Sequence, residues 1–325
     1  MLSFVADNGI TFWDTADSYR SSRYLFNLMY FSSHSLGLPG EVSIGEWFTS
    51  TQRRKEIFLA TKFGYGDLRP GADHSKSNSQ PSYIHRQVAA SLAALQTTYI
   101  DLYYQHRPDP NVPIEIVLET LKPYVEKGVI KWIGLSDCGV NMLRKAKMVP
   151  GIGEKVAVQM EYSAFELGHQ KSGFLDVAKE LGVALVAYSP LGRGLVSGRY
   201  ISLLLSFRNR ADSRLVSSFR SRADFEQGDL RLLLPRFSEE NFPANVKLAD
   251  QLSTMAKKYN ATASQLALAW ILAENPSCAC LMPFSNTLFY LWILQTSRSQ
   301  VVAQSLGCRK TPILFNCWKN CRTMI

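Results

Sequence analysis

Short apolar runs recur along this chain, and each ends in a polar or reactive side chain. Six of them read "ITFWDTA", "EIFLATKFG", "YIDLYYQHR", "VIKWIGLSD", "KVAVQMEY" and "VALVAYSP". Helix-like amphipathic stretches separate most of them. "SYIHRQVAASLAAL" precedes the third run, "VLETLKPYVEKG" the fourth and "FLDVAKELG" the sixth. Gly128 and Gly182 stand where helix C-caps are expected. "SCACLMP", after the helix-like "ASQLALAWILAE", supplies a seventh run. Runs this apolar, alternating with helices, predict parallel strands buried on both faces.

Two architectures offer that alternation, an open doubly wound sheet and a closed (β/α)8 barrel. The open sheet usually carries a glycine-rich phosphate turn after its first strand, and no G-x-G-x-x-G is present. The nearest stretch, "GRGLVSG", has one residue too many and follows a late strand. The polar strand ends decide the matter. Asp14, Lys62, His106, Ser136, Gln159 and Tyr188 each close a different run. A barrel gathers chemistry from the C-terminal ends of many strands, whereas an open sheet concentrates it at one switch point. The expected fold is therefore a (β/α)8 TIM barrel.

Length and charge narrow the partners. The 325 residues allow one large domain or two smaller ones. The formal charge of +9 is compatible with nucleic acid, a membrane surface or a small anionic ligand. No Lys/Arg block of the nucleic-acid-binding kind occurs, and the arginines between Arg199 and Arg236 read as a solvated basic loop. The N-terminus "MLSFVADNGI" lacks the features of a signal peptide. The run "LFYLWIL" is far below the roughly 20 residues of a membrane span. Of six cysteines, Cys138 is alone and five lie between Cys278 and Cys321 without C-x-x-C spacing. The expectation is a reduced, cytoplasmic protein with no metal, no nucleic-acid partner and no membrane anchor.

Asp14, Tyr19, Lys62 and His106 lie far apart in sequence, yet a barrel would bring them to one mouth. Singly, each has a plain structural reading as a helix cap, a packing aromatic, a surface lysine or a satisfied histidine. Together they resemble the pattern of the aldo-keto reductases, in the microbial branch similar to channel β subunits and pyridoxal reductases. "DTADSY" resembles the Asp-Thr-Ala-x-x-Tyr motif, "TKFG" the lysine strand and "DLYYQHRPD" the histidine strand. "GLSD", "VAVQMEYS" and "VAYSPLGRGLVSGR" resemble the cofactor-binding stretches. The likeness runs from about Phe4 to about Pro283.

The resemblance implies reduction of an aldehyde, ketone or 2-keto acid with NADPH, in a setting such as fungal secondary metabolism. Tyr19 would donate the proton. A free phenol, with pKa about 10, is a poor acid near neutrality, and a neighbouring ammonium lowers that value. Lys62 would supply the ammonium, Asp14 would hold Lys62, and His106 would orient the carbonyl. By the same resemblance Ser136 and Gln159 would bind the carboxamide and Tyr188 would stack on the nicotinamide. Ser189, Leu191, Gly192, Arg193 and Gly194 would border the pyrophosphate, mainly through backbone amides.

The chain departs from the family pattern in four places. The first strand is expected to be missing, which leaves seven strands and two open edges. Residues 20–43 and 201–219 are expected to be insertions into a barrel of residues 1–283, poor in packed structure. Residues 284–325 form an atypical tail without a recognisable clamp for a 2′-phosphate. Arg298, Arg309 and Lys310 stand there at other spacings. Two alternatives to an active reductase stay open, a cofactor-binding regulatory subunit without turnover and an inactive truncated product.

Overall fold

The structure, a computed structural model, describes residues 2–19, 40–66, 73, 75–196, 220–225, 228–275, 278–283 and 290–293. The seven apolar runs form strands β1 (Phe12–Asp14), β2 (Phe58–Phe63), β3 (Ile100–Gln105), β4 (Ile130–Ser136), β5 (Val156–Glu161), β6 (Leu185–Tyr188) and β7 (Cys278–Pro283). An eighth, β8 (Tyr290–Ile293), follows. The strands succeed one another in chain order round a closed barrel. β1 to β5 pair in parallel. β8 lies antiparallel on β1, with Trp13 opposite Leu291.

The seven parallel strands are those expected, and β8 corrects the expectation of an open edge at β1. The run "LFYLWIL", assigned above to the tail, holds the strand that pairs with β1. An open edge leaves backbone N–H and C=O groups without partners, so a nearby apolar segment gains by pairing with it. The antiparallel sense follows from chain length. Residues 284–289 join β7 to β8, and a parallel crossover needs a dozen residues or more.

The helices accompany the strands: α1 (Leu2–Asp7), α2 (Gly40–Thr51), α3 (Pro81–Ala94), α4 (Ile114–Glu126), α5 (Val140–Lys147), α6 (Phe174–Glu180), α7 (Phe242–Lys258) and α8 (Ala263–Glu274). Pro81 opens α3, where its fixed φ suits the first helical position, and Tyr83, Ile84, Gln87, Val88 and Ser91 form the buried stripe. Gly128 and Gly182 follow α4 and α6 with φ of +70° and +64°, the left-handed C-cap conformation expected of them. Among the described residues, no helix is long and apolar enough to cross a membrane.

The chain divides into two compact units, Met1–Met160 with Gln170–Val186 and Leu281–Ile293, and Glu161–His169 with Ala187–Cys280 and Leu294–Ile325. In the first unit, the starts of three strands are tied by one buried carboxylate. Asp101 accepts from the Leu59 amide at 2.9 Å, from Arg54 Nη2 at 2.8 Å and from Lys131 Nζ at 2.7 Å. Those donors belong to β2, to the turn before it and to β4, so the carboxylate locks their register at the end opposite the polar strand ends. In the second unit Phe225, Phe237 and Phe242 pack ring on ring, at 5.5 to 5.8 Å between centroids. A reciprocal cap between Thr262 and Gln265 starts α8.

The last four residues of the expected insertion at 20–43 are described. Residues 40–43 form the first turn of α2, and Gly40 and Glu41 are buried. Residues 20–39 lie outside the described residues, as do 201–219 and the tail positions Arg298, Arg309 and Lys310. The two ends of the first excursion meet: the Gly40 amide donates to the Tyr19 carbonyl at 3.0 Å. Shortening a loop about tenfold lowers its closure cost by about 2 kcal/mol. Replacing residues 20–39 by two glycines is therefore expected to leave a cooperatively folded protein with an undiminished melting temperature, measured by circular dichroism. Loss of the folded state would show that the excursion supplies core.

Candidate active site

Parallel strands present their C-terminal ends on one side, so the polar ends of β1 to β4, with Gln159 late in β5, come to one mouth in the first unit. Beyond β1 the chain keeps to the flank of β2, with the Thr15 amide donating to Ala60 O at 2.9 Å and the Asp17 amide to Lys62 O at 3.0 Å. It then turns, the Tyr19 amide donating to Ala16 O at 3.1 Å. That turn carries the Tyr19 ring over Lys62, whose Nζ lies 4.9 Å from the ring centroid.

Asp14 and Lys62 are both completely buried and form an ion pair. Lys62 Nζ also donates to Thr15 O at 3.0 Å. The second carboxylate oxygen of Asp14 accepts from Gln159 Nε2 at 3.0 Å. Burial pushes the Asp14 carboxyl above its usual range, although the Lys62 charge and the hydrogen bonds from Lys62 and Gln159 pull it down. His106 extends β3, its amide donating to Phe63 O at 2.8 Å, and its ring meets Tyr19 edge-on at 5.7 Å. Burial first, then the charges of Lys62 and Arg107, hold the His106 imidazole well below its ordinary pKa, so it is neutral at neutral pH. Its Nδ1 lies 3.3 Å from Ser18 Oγ. The four expected catalytic side chains are thus brought together: a buried ammonium held by a carboxylate, a phenol beside it and a neutral imidazole beside the phenol.

The expected cofactor residues divide between the units. Ser136 and Gln159 are register partners on β4 and β5. Here their polar atoms serve the protein. Gln159 Nε2 is turned to Asp14, and Ser136 Oγ accepts from Arg107 Nη1 at 3.3 Å. A hydroxyl and a side-chain carbonyl one strand apart still match the donors and acceptor of a carboxamide. These residues therefore fit a nicotinamide ring.

Within the second unit, Tyr188 ends β6 and its carbonyl accepts from the Tyr162 amide at 3.3 Å. Ser189, Gly192, Arg193 and Gly194 all have positive φ. Such left-handed residues turn successive amides into concavities that suit anions. Two of the amides expected to face a phosphate close the segment's own turns instead. Gly192 donates to Ser189 O at 2.9 Å and Gly194 to Leu191 O at 3.2 Å. A Cβ on Gly192 would lie 2.8 Å from the Phe165 ring, so that position demands glycine by space as well as by φ. Arg193 grips Glu161 through both carboxylate oxygens, at 3.0 and 2.9 Å, and Arg236 holds the same Glu161 at 2.9 Å.

Sequence reasoning missed Ser18, Tyr104 and Gly134. Lys62 Nζ lies 5.6 Å from the Tyr104 ring centroid, and Tyr104 pairs in register with Gly134. A Cβ at 134 would collide with that ring. Strand alternation could have placed Tyr104 beside His106, since residues two apart share a face. The glycine opposite needs the register of two strands.

Comparisons with known proteins bear on the family and the fold. Residues 1–313 match the model of the aldo/keto reductase family. "Aldo-keto reductase str7" of Strobilurus tenacellus is 38% identical over 285 residues, 87% of this chain and 70% of that protein. "Aldo-keto reductase yakc [NADP(+)]" of Schizosaccharomyces pombe is 38% identical over 277 residues, 85% of this chain and 70% of that one. Among solved structures, the glycerol dehydrogenase AKR11B4 from Gluconobacter oxydans is similar in fold, with a TM-score of 0.65 at 21% identity, over 98% of this chain and 83% of that one. Site, fold and relatives lead to one statement: the chain belongs to the aldo/keto reductase family.

Proposed function

We propose that this protein is an NADPH-dependent reductase that converts an aldehyde or ketone carbonyl to the alcohol. The observation that carries the reading is Lys62, buried against Asp14 on one side and the Tyr19 ring on the other. When bound, the nicotinamide cofactor supplies the hydride. The chain supplies the proton and the geometry. Tyr19 gives its phenolic proton to the carbonyl oxygen, and the Lys62 ammonium stabilises the phenolate left behind. Asp14 holds the Lys62 side chain in place. His106 is neutral, and in the tautomer that accepts from the Ser18 hydroxyl at Nδ1, Nε2 carries the proton that hydrogen-bonds the carbonyl oxygen. Ser136 and Gln159 hold the carboxamide. In the second unit Tyr188 serves as the ring partner, and Ser189, Leu191, Gly192, Arg193 and Gly194 border the phosphates. The name of the Schizosaccharomyces pombe relative supports NADP as the cofactor.

Tyr19→Phe removes the acid but keeps the ring. It is expected to lower carbonyl reduction about 10²- to 10⁴-fold. NADPH affinity, followed by fluorescence titration, should change less than about twofold. An unchanged turnover number would remove Tyr19 from the chemistry, and absence of NADPH binding to the wild type would remove the reductase reading.

His106 also gives the fold a pH dependence. Its folded pKa lies below the unfolded value of about 6.5. Beneath that pH the unfolded chain takes up a proton that the folded chain refuses, so stability is lost as pH falls toward the folded pKa. Urea unfolding between about pH 7.5 and 5 should show a shallower loss of stability for His106→Gln than for the wild type. Equal slopes would show that His106 is not held neutral.

A further inference from the structure

Arg107 follows His106 directly and stands partly exposed at the same mouth. Its side chain is 33% accessible. Nη1 carries its contacts with the protein: it donates to His106 O at 2.8 Å and to Ser136 Oγ at 3.3 Å, and it lies 2.9 Å from Asp137 Oδ2. Among the described residues, Nε and Nη2 make no hydrogen bond. Among the described residues, the guanidinium is therefore pinned at one corner and unpartnered along one edge. Tyr65, half exposed, connects this edge to the proton-handling groups. Its ring lies 4.9 Å from the His106 ring, and the Arg107 guanidinium lies 5.4 Å from the Tyr65 centroid. The other charges of the mouth are already balanced or absent. Lys62 and Asp14 offset each other, and His106 is neutral.

From this geometry we infer that Arg107 is a specificity-determining residue, whose open edge selects carbonyl substrates that also carry a carboxylate. The inference rests on the reductase reading above. A guanidinium edge presents two parallel N–H donors, the spacing of a carboxylate's two oxygens. Asp137 lies at Nη1, the corner already held, so a carboxylate at Nε and Nη2 adds to the pair without displacing it. A carbonyl at His106 and Tyr19 then has its carboxylate across the Tyr65 ring, which offers a flat apolar surface to the atoms between. The basic balance of the whole chain, +9, favours the approach of such anions. Charge-assisted hydrogen bonds of this kind are worth about ten- to a hundredfold in affinity.

The test uses the full chain with NADPH and the three positional carboxybenzaldehydes, each beside its neutral carbamoyl isostere. The expected result is a kcat/KM preference for the acid over the amide of about tenfold or more for at least one isomer. The preference should fall to near one in Arg107→Met and be partly kept in Arg107→Lys. Effects transmitted through Ser136 touch both substrates and cancel in the ratio. Equal acid-to-amide ratios in wild type and Arg107→Met, or no preference in the wild type, would overturn the inference. Should Arg107→Met not fold, the wild-type preference must shrink as salt rises, and a salt-independent preference overturns it. Should the wild type reduce none of these aldehydes, the reductase reading fails by itself. Calorimetric binding of benzoate over benzamide, dependent on Arg107, would then still uphold the anion site, and its absence would refute it.

Discussion

A lysine and an aspartate, both without any solvent exposure, face each other at the centre of this structure. Taking two charges out of water costs several kcal/mol per ion, and replacing such a pair by apolar residues is often neutral or stabilising. Stability is a weak reason to keep it. Its chemical consequence is stronger. An ammonium shielded from water exerts its field on its neighbours, and the Tyr19 ring centroid lies 4.9 Å from Nζ. The surroundings serve to keep that charge in place. Gln159 takes the free oxygen of Asp14, Thr15 O takes a further ammonium proton, and the Tyr104 ring closes the side toward β4. Tyr104 can lie there because Gly134 has no side chain.

The scaffold holds these groups by tying the strands at both ends. Asp101 joins the starts of β2, β3 and β4, and Asp14, through Lys62 and Gln159, joins the ends of β1, β2 and β5. A shift of one register step would break both at once, because strand side chains alternate between faces. β8 closes the remaining edge from the other side of the chain. It shows how a barrel edge can be capped by a short antiparallel segment when no parallel strand reaches it.

Much of this was legible in the sequence, for local reasons. Strands buried on both faces read as continuous apolar runs, and all seven such runs are strands. The helices between them show their stripes and their glycine caps at Gly128 and Gly182. The convergence of Asp14, Lys62 and His106 was legible because they stand at or beside strand ends, where topology brings them together, and Tyr19 joins them through the turn after β1. What escaped depends on pairing rather than on pattern. β8 was read as tail because an apolar run of its length has no fixed partner in sequence. The burial of Gly40 and Glu41 at the start of α2 rests on partners distant in sequence, such as Thr61. Gly134 is explained only by Tyr104 across the ladder. The hydrogen bonds of the Gly192 and Gly194 amides to Ser189 O and Leu191 O depend on local left-handed turns that no residue pattern announces.

The central claim is that Asp14 acts only through Lys62, and Lys62 through Tyr19. A double-mutant cycle on kcat/KM for an aldehyde substrate tests it most directly, with Asp14→Asn, Lys62→Met and the double variant. The account expects each single change to cost at least about a hundredfold. The double variant should be no worse than Lys62→Met alone, since Asp14 has nothing to do once the ammonium is gone. Multiplicative losses, or a Lys62→Met protein that reduces aldehydes at the wild-type rate, would contradict it.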